Sequence, residues 1–379
     1  MNYLLSLVVP TKNKYIYLEK LVDLVISFST NQIELIIQDN SDDNQKFIDF
    51  VTCRKEKYPW IKYFYESHYL TSIENFDLAI SRCNGEYVCF IGDDDGVVRN
   101  IIRYVEWMKQ NNVEALRSAR SIYYWSGKGR YTQYATFEPA TRKIEWLSPI
   151  HELKKVLNKG GRDLGKIPVL YTGIVKKSVL DTIYKDLGTY FPGVSPDAAI
   201  GTVLSFYVKR YAFINTPIII TGTSKETGGG LQQRRIVPFH EVPFLRQENF
   251  NDWEGTLPSY WTSSLVWPVS IISALRKLGK QELLFEISFN KIIANFYLLN
   301  KDYKSIALQY ANNKMSFYYY CYYLRIKFFI KDVFDKSIRI LSSNKNYING
   351  YLFYNLNDIL EAENLFYEID KKRKILEEK

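Results

Sequence analysis

Apolar and polar positions follow two different periods over the first hundred residues. Apolar runs rich in β-branched residues at Leu4–Pro10 and Ile33–Asp39 predict buried strands, and shorter runs at Ile61–Ser67 and Glu86–Gly92 predict two more. The segments between them, such as "IYLEKLVDLVISF" and "SIENFDLAISRC", carry apolar residues at helical spacing. This β-α-β-α-β-α-β order predicts a doubly wound α/β domain with a parallel sheet.

The pattern becomes less regular after Val113. Strands are predicted at "EALRSARSIYYW" and "RKIEWL", and "KIPVLYTGIVKKSVLDTIY" predicts a strand followed by a helix. A further helix is predicted from Ser195, because an N-cap residue is followed by a proline at the first helical position. From Phe239 onward the pattern is mostly helical. We therefore predict an α/β domain over residues 1–238 and a helical region over residues 239–379.

Polar clusters follow three of the predicted strands: Thr11–Lys14, Asp39–Asp43 and Asp93–Asp95. Ligands of doubly wound sheets bind beyond the carboxyl ends of the strands, so these clusters are expected to share one cleft.

The third cluster places three consecutive aspartates after an apolar strand, in "YVCFIGDDDGVV". One chemistry with this local pattern is the haloacid-dehalogenase phosphatase, in which Asp93 would be the nucleophile and Asp95 the acid/base beside magnesium. That motif normally opens its domain, whereas three α/β units precede it here. A second chemistry is a nucleotide-sugar site, where carboxylates hold a divalent cation against a diphosphate. A third alternative is a solvated acidic turn.

Charge and cysteine content limit the partners and the cellular compartment that the sequence fits. The 379-residue chain has a formal net charge of +9, which fits either a lysine-rich solvated surface or attraction to an anionic partner. The four cysteines are scattered and form no zinc-binding pattern, which indicates a reducing compartment. The N-terminus lacks the pattern of a signal peptide. The uncharged stretch Gly255–Leu275 contains two prolines and many hydroxyls, so we interpret it as buried or interfacial rather than transmembrane.

Near the C-terminus, Ser316–Ile340 combines many aromatic residues with lysines and arginines. Such a stretch suits a membrane interface with anionic lipid, stacking on nucleic acid, or a packed helix whose cations extend to solvent. The sequence leaves these three alternatives open.

Three segments together resemble the family 2 glycosyltransferases. They are "LVVPTKNKYIYLEKLV", "IELIIQDNSDDN" and "SIENFDLAISRCNGEYVCFIGDDDGVV", and they occur in the order of that family. The resemblance is good over roughly the first 110 residues and looser to about residue 220. It implies a GT-A (Rossmann-like) fold, which is a doubly wound mixed sheet, here with a mostly helical C-terminal extension. It also implies a nucleotide-sugar donor and Mn²⁺ or Mg²⁺ as cofactor.

The resemblance assigns nucleotide contacts at the ends of the first two strands. These contacts would come from Pro10, Thr11, Asn13 and Lys14 along the nucleotide, and from Asp39, which would accept a hydrogen bond from the base. Asp39 could equally be a turn or cap residue ahead of the next helix.

Further along, the resemblance assigns Asn75 to the ribose or diphosphate, although an exposed helix position is an equal alternative. Asp93 and Asp94 would contact ribose and sugar, and Asp95 would hold the metal. Three consecutive aspartates leave this register open by one residue.

The catalytic base implied by the resemblance is Asp197, about 100 residues after the aspartates and in the first turn of a predicted helix. The alternative is that Asp197 only complements the helix dipole. Glu226, in the glycine-rich stretch Thr221–Gly230, is the rival base. Backbone N–H groups and Lys225 of that stretch could cradle a diphosphate, or the stretch could be a closing loop or an ordinary connection.

The resemblance thus implies an inverting, metal-dependent transfer from a UDP-sugar to a hydroxyl of a glycan or polyprenyl-linked acceptor, in the synthesis of a bacterial surface polysaccharide such as capsule or O-antigen. The expected location is cytoplasmic, at the inner face of the plasma membrane through a peripheral contact. Homo-oligomers are compatible with this reading, and nucleic acid is not favoured as a partner. The phosphatase and a non-catalytic membrane- or RNA-binding scaffold remain the alternative functions.

Overall fold

The computed structural model describes residues 3–125, 133–138, 141–225, 236–242, 245, 255–341 and 351–377. Its N-terminal half alternates strands and helices as the pattern predicts. In chain order these are β1 (Leu5–Thr11), α1 (Tyr15–Ser27), β2 (Ile33–Asp39), α2 (Gln45–Lys57), β3 (Ile61–Tyr65), α3 (Ser72–Ser81), β4 (Tyr87–Phe90), β5 (Gly96–Val97) and α4 (Ile101–Gln110).

Shorter strands and further helices follow. They are β6 (Ala115–Ser118), β7 (Ser121–Tyr124), β8 (Tyr134–Phe137), β9 (Ile144–Leu147), α5 (Pro149–Asn158), β10 (Gly173–Lys176), α6 (Lys177–Leu187), α7 (Pro196–Tyr207), β11 (Tyr211–Ile214), β12 (Ile219–Thr223), β13 (Val237–Pro238), β14 (Tyr260–Trp261), α8 (Val266–Lys277), α9 (Phe289–Leu299), α10 (Lys304–Tyr310), α11 (Lys314–Leu341), β15 (Tyr351–Tyr354) and α12 (Ile359–Glu377). Short 3₁₀ helices lie at Phe239–Glu241, Gln281–Glu286 and Lys301–Tyr303.

The central sheet has eight strands in the order β3-β2-β1-β4-β10-β6-β11-β9. β1 pairs in parallel with β2 and β4, and β2 pairs in parallel with β3. β10 runs antiparallel to both β4 and β6, which makes the sheet mixed. Every residue of β1 and β2 is buried, as expected for apolar strands covered on both faces. The predicted α/β fold with a mixed sheet is confirmed.

A second sheet lies next to the first, in the order β15-β8-β7-β12-β5. Its edge strand β5 begins one residue after Asp95, and β12 pairs antiparallel with it. This sheet therefore fixes the chain that leaves the three aspartates.

The helices after residue 239 pack into a second apolar core, which also takes in residues of α5 and Ala198 of α7. β15 and α12 instead return to the N-terminal part: β15 pairs with β8, and Ile359 and Phe366 belong to the core built around β1 and α1. The predicted domain boundary at residue 238 stays a prediction. Although β15 and α12 follow this boundary in the sequence, they pack against the part of the chain that precedes it.

Within the described part of the chain, no helix combines the length and the apolar character that crossing a bilayer requires.

Candidate active site

The carboxyl ends of β1, β2 and β4 meet at one edge of the central sheet. Thr11 and Asp39 end their strands as register partners. The Thr11 hydroxyl donates a hydrogen bond of 2.8 Å to Oδ2 of Asp93, which follows β4. The three polar clusters that follow these strands in the sequence are therefore neighbours in the structure.

Lys14 supplies the positive charge nearest to this edge. Its Nζ lies 3.2 Å from Oδ1 of Asp93. Burial lowers the pKa of Lys14, but the carboxylates of Asp93, Asp94 and Asp95 more than offset this, and the net pKa is raised. Lys14 is therefore charged at neutral pH and faces the aspartates.

Asp94 and Asp95 are held by backbone N–H groups. Asp95 accepts from the N–H of Gly92 at 2.7 Å and from that of Gly222 at 2.6 Å. Asp94 accepts from the N–H of Ser224 at 3.1 Å, and its carbonyl oxygen accepts from the Trp125 indole at 2.8 Å. All three aspartates are at most 3% exposed.

The close contact with β12 explains why a glycine stands at position 222. A Cβ there would lie 1.7 Å from the carbonyl oxygen of Asp94, so no other residue fits without moving the strand. The N–H groups of Gly222 and Ser224, which the sequence offered as part of a diphosphate cradle, bind the aspartates instead. Residues 226–230, including Glu226, lie outside the described residues.

Three oxygens converge over Gly92. A Cβ placed on Gly92 would be 2.7 Å from the Tyr171 hydroxyl, 3.2 Å from Oδ1 of Asp94 and 3.2 Å from Oδ2 of Asp95. The glycine thus leaves a small space lined by two carboxylate oxygens and a phenol oxygen. Hard oxygen ligands of this kind suit Mg²⁺ or Mn²⁺.

The charge balance of the cluster also fits a cation. Burial raises the pKa of Asp95, and the neighbouring Asp94 raises it further. Burial likewise raises the pKa of Asp93, partly offset by Lys14. Within the described ranges, no three His, Cys, Asp or Glu side chains form a complete metal cage. A cation here would need ligands from the donor, which is usual for Mg²⁺ beside phosphates.

Asp39 is buried within its own hydrogen-bonded shell. Oδ2 accepts from the hydroxyls of Tyr15 and Tyr63, each at 2.8 Å, and Oδ1 accepts from the N–H of Ser41, also at 2.8 Å. A carboxylate offers about four acceptor positions, so roughly one remains for the N–H of a base.

Asn13 has a left-handed backbone, with φ of 59°, and its side chain exchanges two hydrogen bonds with Asp42. It joins the ends of β1 and β2, and its amide is already engaged there. Pro10 is buried in β1 opposite Gln38. Asn75 is 6% exposed in α3, which excludes the exposed alternative, and its side-chain oxygen has no hydrogen-bond partner among the described residues. The nucleotide contacts of these three residues stay predictions.

Asp197 lies half-buried in the first turn of α7. Burial raises the pKa of its carboxyl to about 6, against an opposing effect of Arg117. Arg117 is fixed by hydrogen bonds from its guanidinium to the carbonyl oxygens of Leu164, at 3.2 Å, and Ile167, at 2.9 Å.

Tyr171 lies beside the aspartates that follow β4. Its hydroxyl borders the space over Gly92. Its pKa is raised far above the usual value by burial first, and then by Asp95, Asp94, Asp197 and Asp93 in that order. The carboxylate of Asp197 thus adds to the raised pKa of Tyr171, as those of the three aspartates do.

Several residues that shape the site carry no local sequence signal: Tyr15, Tyr63, Arg117 and Tyr171. Tyr15 and Tyr63 lie on elements that were correctly predicted, yet nothing local marks their hydroxyls as partners of Asp39. Tyr171 lies in "LYTG", two residues before β10 begins. Its position next to a strand is the one sequence feature that could have marked it as a site residue.

Two comparisons by sequence agree with this geometry. Residues 6–164 match the model of glycosyl transferase family 2. A segment of 94 residues is 32% identical to the GalNAc(5)-diNAcBac-PP-undecaprenol beta-1,3-glucosyltransferase of Campylobacter jejuni, covering 24% of this chain and 29% of that protein. The match thus spans less than a third of the relative's length. The family resemblance seen in the motifs is confirmed.

Distant likenesses to solved structures also exist. S. aureus TarS 1–349 in complex with UDP-GlcNAc is 14% identical with a TM-score of 0.48, covering 82% of this chain and 89% of that one. The mannosyltransferase PcManGT of Pyrobaculum calidifontis, in complex with GDP-Man and Mn²⁺, is 15% identical with a TM-score of 0.41, covering 82% and 84%.

Proposed function

We propose that this chain, whose residues 6–164 match the model of glycosyl transferase family 2, is an inverting glycosyltransferase. It would move a sugar from a nucleotide-diphosphate donor, with UDP as the preferred nucleotide, to a hydroxyl of a glycan or polyprenyl-linked acceptor. The observation that carries this proposal is the meeting of Thr11, Asp39 and Asp93 at the carboxyl ends of β1, β2 and β4.

The donor would lie along the ends of β1, β2 and β4. Asp39 would accept the N–H of the base at its remaining acceptor position, and Thr11 and Lys14 would border the nucleotide beside Asp93. Asp95, with Asp94 beside it, would hold Mn²⁺ or Mg²⁺. When bound, such an ion supplies the positive charge that stabilises a departing diphosphate.

Asp197 would be the general base. Its carboxylate takes the proton of the acceptor hydroxyl while that oxygen forms a bond to the anomeric carbon. The bond from the anomeric carbon to the diphosphate oxygen breaks, and its electron pair leaves with the nucleoside diphosphate. A single displacement of this kind inverts the anomeric centre. General-base assistance contributes roughly 10²–10⁴-fold to such a step.

The acceptor class is supported by the named relative, which acts on an undecaprenyl-diphosphate-linked glycan. A lipid-linked acceptor also fits a bacterial surface polysaccharide as the product. The family match favours transfer over the phosphatase alternative, in which Asp93 would be the nucleophile.

Ligand-dependent stability tests this function directly. UDP, GDP, ADP and CDP are screened for a rise in melting temperature, with and without Mn²⁺. A ligand at 100 times its Kd adds about 2.7 kcal/mol of stability, so UDP with Mn²⁺ is expected to give a clear shift that EDTA removes. The lack of a shift with every nucleoside diphosphate would overturn the proposal.

A second readout separates the transferase from the phosphatase. Incubation with a phosphorylated generic substrate and magnesium should leave no covalent phosphate on Asp93. Detection of an acyl phosphate there by mass spectrometry, together with phosphate release, would assign the site to phosphatase chemistry instead.

A further inference from the structure

Between Lys314 and Val333, helix α11 packs through one narrow stripe of its surface. Phe317, Cys321 and Leu324 are buried at helical spacing, and Phe328 continues the same stripe. They join the core that contains Ile292 and Phe296 of α9. A packed amphipathic helix normally turns polar residues to solvent on its remaining surface.

The outer surface of α11 is apolar and aromatic instead. The exposed side chains are at least 42% accessible to solvent, and they follow one another along about four turns of the helix: Met315, Tyr318, Tyr319, Tyr322, Tyr323, Ile326, Phe329 and Ile330. We call this set the outer face. Single exposed apolar residues are ordinary, but a continuous apolar face marks an interaction site.

Basic residues accompany the outer face. Lys314, Arg325, Lys327 and Lys331 are exposed on the same helix, and Asp332 is the single acidic residue between positions 314 and 333. The charge of this segment has the same sign as the net charge of the chain, which is +9. Its partner is therefore expected to be apolar and negatively charged.

We propose that the outer face of α11 docks onto the surface of a bilayer that contains anionic lipid. Tyrosine and phenylalanine with flanking lysine and arginine are the residues that bind at the boundary between headgroups and acyl chains. The charged positions at 325, 327 and 331 would keep the helix in the plane of the surface. A symmetric pairing of two copies would instead concentrate positive charge on both sides of the contact, since Asp332 is the single acidic residue between positions 314 and 333.

Docking at this face would hold the acceptor side of the cleft at the bilayer, and this part rests on the proposed function. α11 packs on α9 in the helical core, and that core includes Val266 and Val269 of α8. The N–H of Ser195 donates to the hydroxyl of Ser270 in α8 at 2.7 Å, which fixes the start of the helix that carries Asp197. A docked α11 therefore belongs to the same packed unit as the proposed base.

The test measures flotation of the full chain with phosphatidylcholine vesicles and with vesicles that contain 30% phosphatidylglycerol. It needs no substrate, so its result is independent of transferase activity. Binding is expected to the anionic vesicles at low salt and to weaken as salt rises. Lys327→Glu with Lys331→Glu should lower the partition coefficient at least tenfold, since each basic residue near an anionic surface adds severalfold to the affinity.

The second part of the vesicle-binding test replaces apolar residues of the outer face by serine. Tyr322→Ser, Phe329→Ser and Ile330→Ser together should abolish vesicle binding and leave the melting temperature nearly unchanged, because these side chains are exposed. Phe285→Ser is the matched control: Phe285 is 94% exposed in the 3₁₀ helix Gln281–Glu286, outside α11, and its loss should not affect binding. Truncation at residue 239 is unsuitable, because it also removes α12.

Two outcomes would overturn the proposal. In the first, the wild-type chain does not float with anionic vesicles at low salt. In the second, the triple serine variant floats as well as the wild type. A dimer by light scattering that the triple variant dissociates, without vesicle binding, would assign the outer face to a second copy. Binding of single-stranded RNA without vesicle binding would assign it to nucleic acid.

Discussion

The guanidinium of Arg99 lies against the carboxylate of Glu363 across 264 positions of the chain. Nε of Arg99 is 3.0 Å from both carboxylate oxygens, and its backbone N–H donates to Oε1 at 2.8 Å. Glu363 is fully buried in α12, and Arg99 follows β5, which begins one residue after Asp95. The C-terminal helix therefore anchors the segment that leaves the candidate active site.

Glu363→Gln should destabilise the fold and weaken donor binding together. The amide keeps the size of the side chain but leaves the half-buried Arg99 without its counter-charge. Breaking a fully buried ion pair costs about 3–5 kcal/mol, and solvent at Arg99 should reduce this to about 1–3 kcal/mol. Urea unfolding measures the stability. Asp358→Asn is the control, because its pair with Lys20 at 3.2 Å is more exposed and should matter less. Equal losses for the two variants would contradict the anchoring role.

Gly92→Ala should weaken donor binding with little change in global stability. Gly92 has no positive φ, so the backbone accepts alanine, but the new methyl group would displace the oxygens of Tyr171, Asp94 and Asp95. Gly188→Ala is the converse control. Gly188 has φ of 73° with open space around it, so alanine there should cost about 1 kcal/mol and leave donor affinity unchanged.

The double variant Gly92→Ala with Tyr171→Phe sharpens that prediction. Removing the phenol oxygen relieves the 2.7 Å contact, so part of the donor affinity should return. Calorimetry measures the affinity for UDP with Mn²⁺ of the wild type, Gly92→Ala, Gly188→Ala and the double variant. No difference between the single and the double variant would show that the Tyr171 hydroxyl does not border the donor site.

Asp95→Ala should be less stable than Asp95→Asn. Relief of repulsion among three carboxylates alone would predict a gain in stability, but Asp95 also accepts from the N–H groups of Gly92 and Gly222. Alanine leaves both donors without an acceptor, at about 1–3 kcal/mol for each buried group. Both variants should lose metal-dependent UDP binding. Asp181→Asn, which affects only a surface pair with Lys177, should bind UDP normally.

Asp197→Asn should leave donor Kd nearly unchanged and lower kcat by at least about 100-fold, because the amide cannot take the acceptor proton. Glu226→Gln tests the rival base, and the reverse result would move the role to Glu226. Asp77→Asn is the control for a raised carboxyl pKa. Burial raises the pKa of Asp77 to about 6 as well, but its carboxylate is occupied by Thr189 at 2.7 Å and by the N–H of Tyr190 at 2.9 Å. Its turnover should be nearly normal.

The pH dependence of Asp197 has a definite sign. A base must be deprotonated, so wild-type kcat/KM should rise with pH through about 6 and then level off. Because the folded pKa lies above the usual 3.8, the folded state holds this proton more tightly than the unfolded chain. Asp197 therefore favours folding below about pH 4, and this advantage is lost as pH rises to about 6. Asp197→Asn should remove that part of the stability profile.

The local sequence pattern was sufficient to predict the strands and helices that carry the candidate active site. β2 occupies the predicted residues Ile33–Asp39, and α3 begins at Ser72 behind a capping box of Thr71 and Glu74. Strand ends predicted the meeting of Thr11 with Asp93, because parallel neighbours in a doubly wound sheet place their carboxyl ends together. The order of the motifs also predicted the match of residues 6–164 to the glycosyl transferase family 2 model.

Long-range pairing could not be predicted in the same way. β15 and α12 have ordinary strand and helix patterns, and nothing in them names β8 or Arg99 as partner. Asn13 is a second residue whose contacts could not be predicted from the sequence. The motif assigns its side chain to the nucleotide, whereas in the structure its amide group forms hydrogen bonds with Asp42. The difference depends on the backbone geometry of the loop, with φ of 59°, which residue type alone does not fix.

The return of α12 to the N-terminal core also sets an order of events during biosynthesis. Translation adds about 5–20 residues per second, so Glu363 is made some ~13–53 s after Arg99. Throughout that interval the nascent sheet lacks Ile359 and Phe366 in its core, and the apolar surface that they cover stays open. The core around β1 and α1 is therefore complete only after α12 has been made.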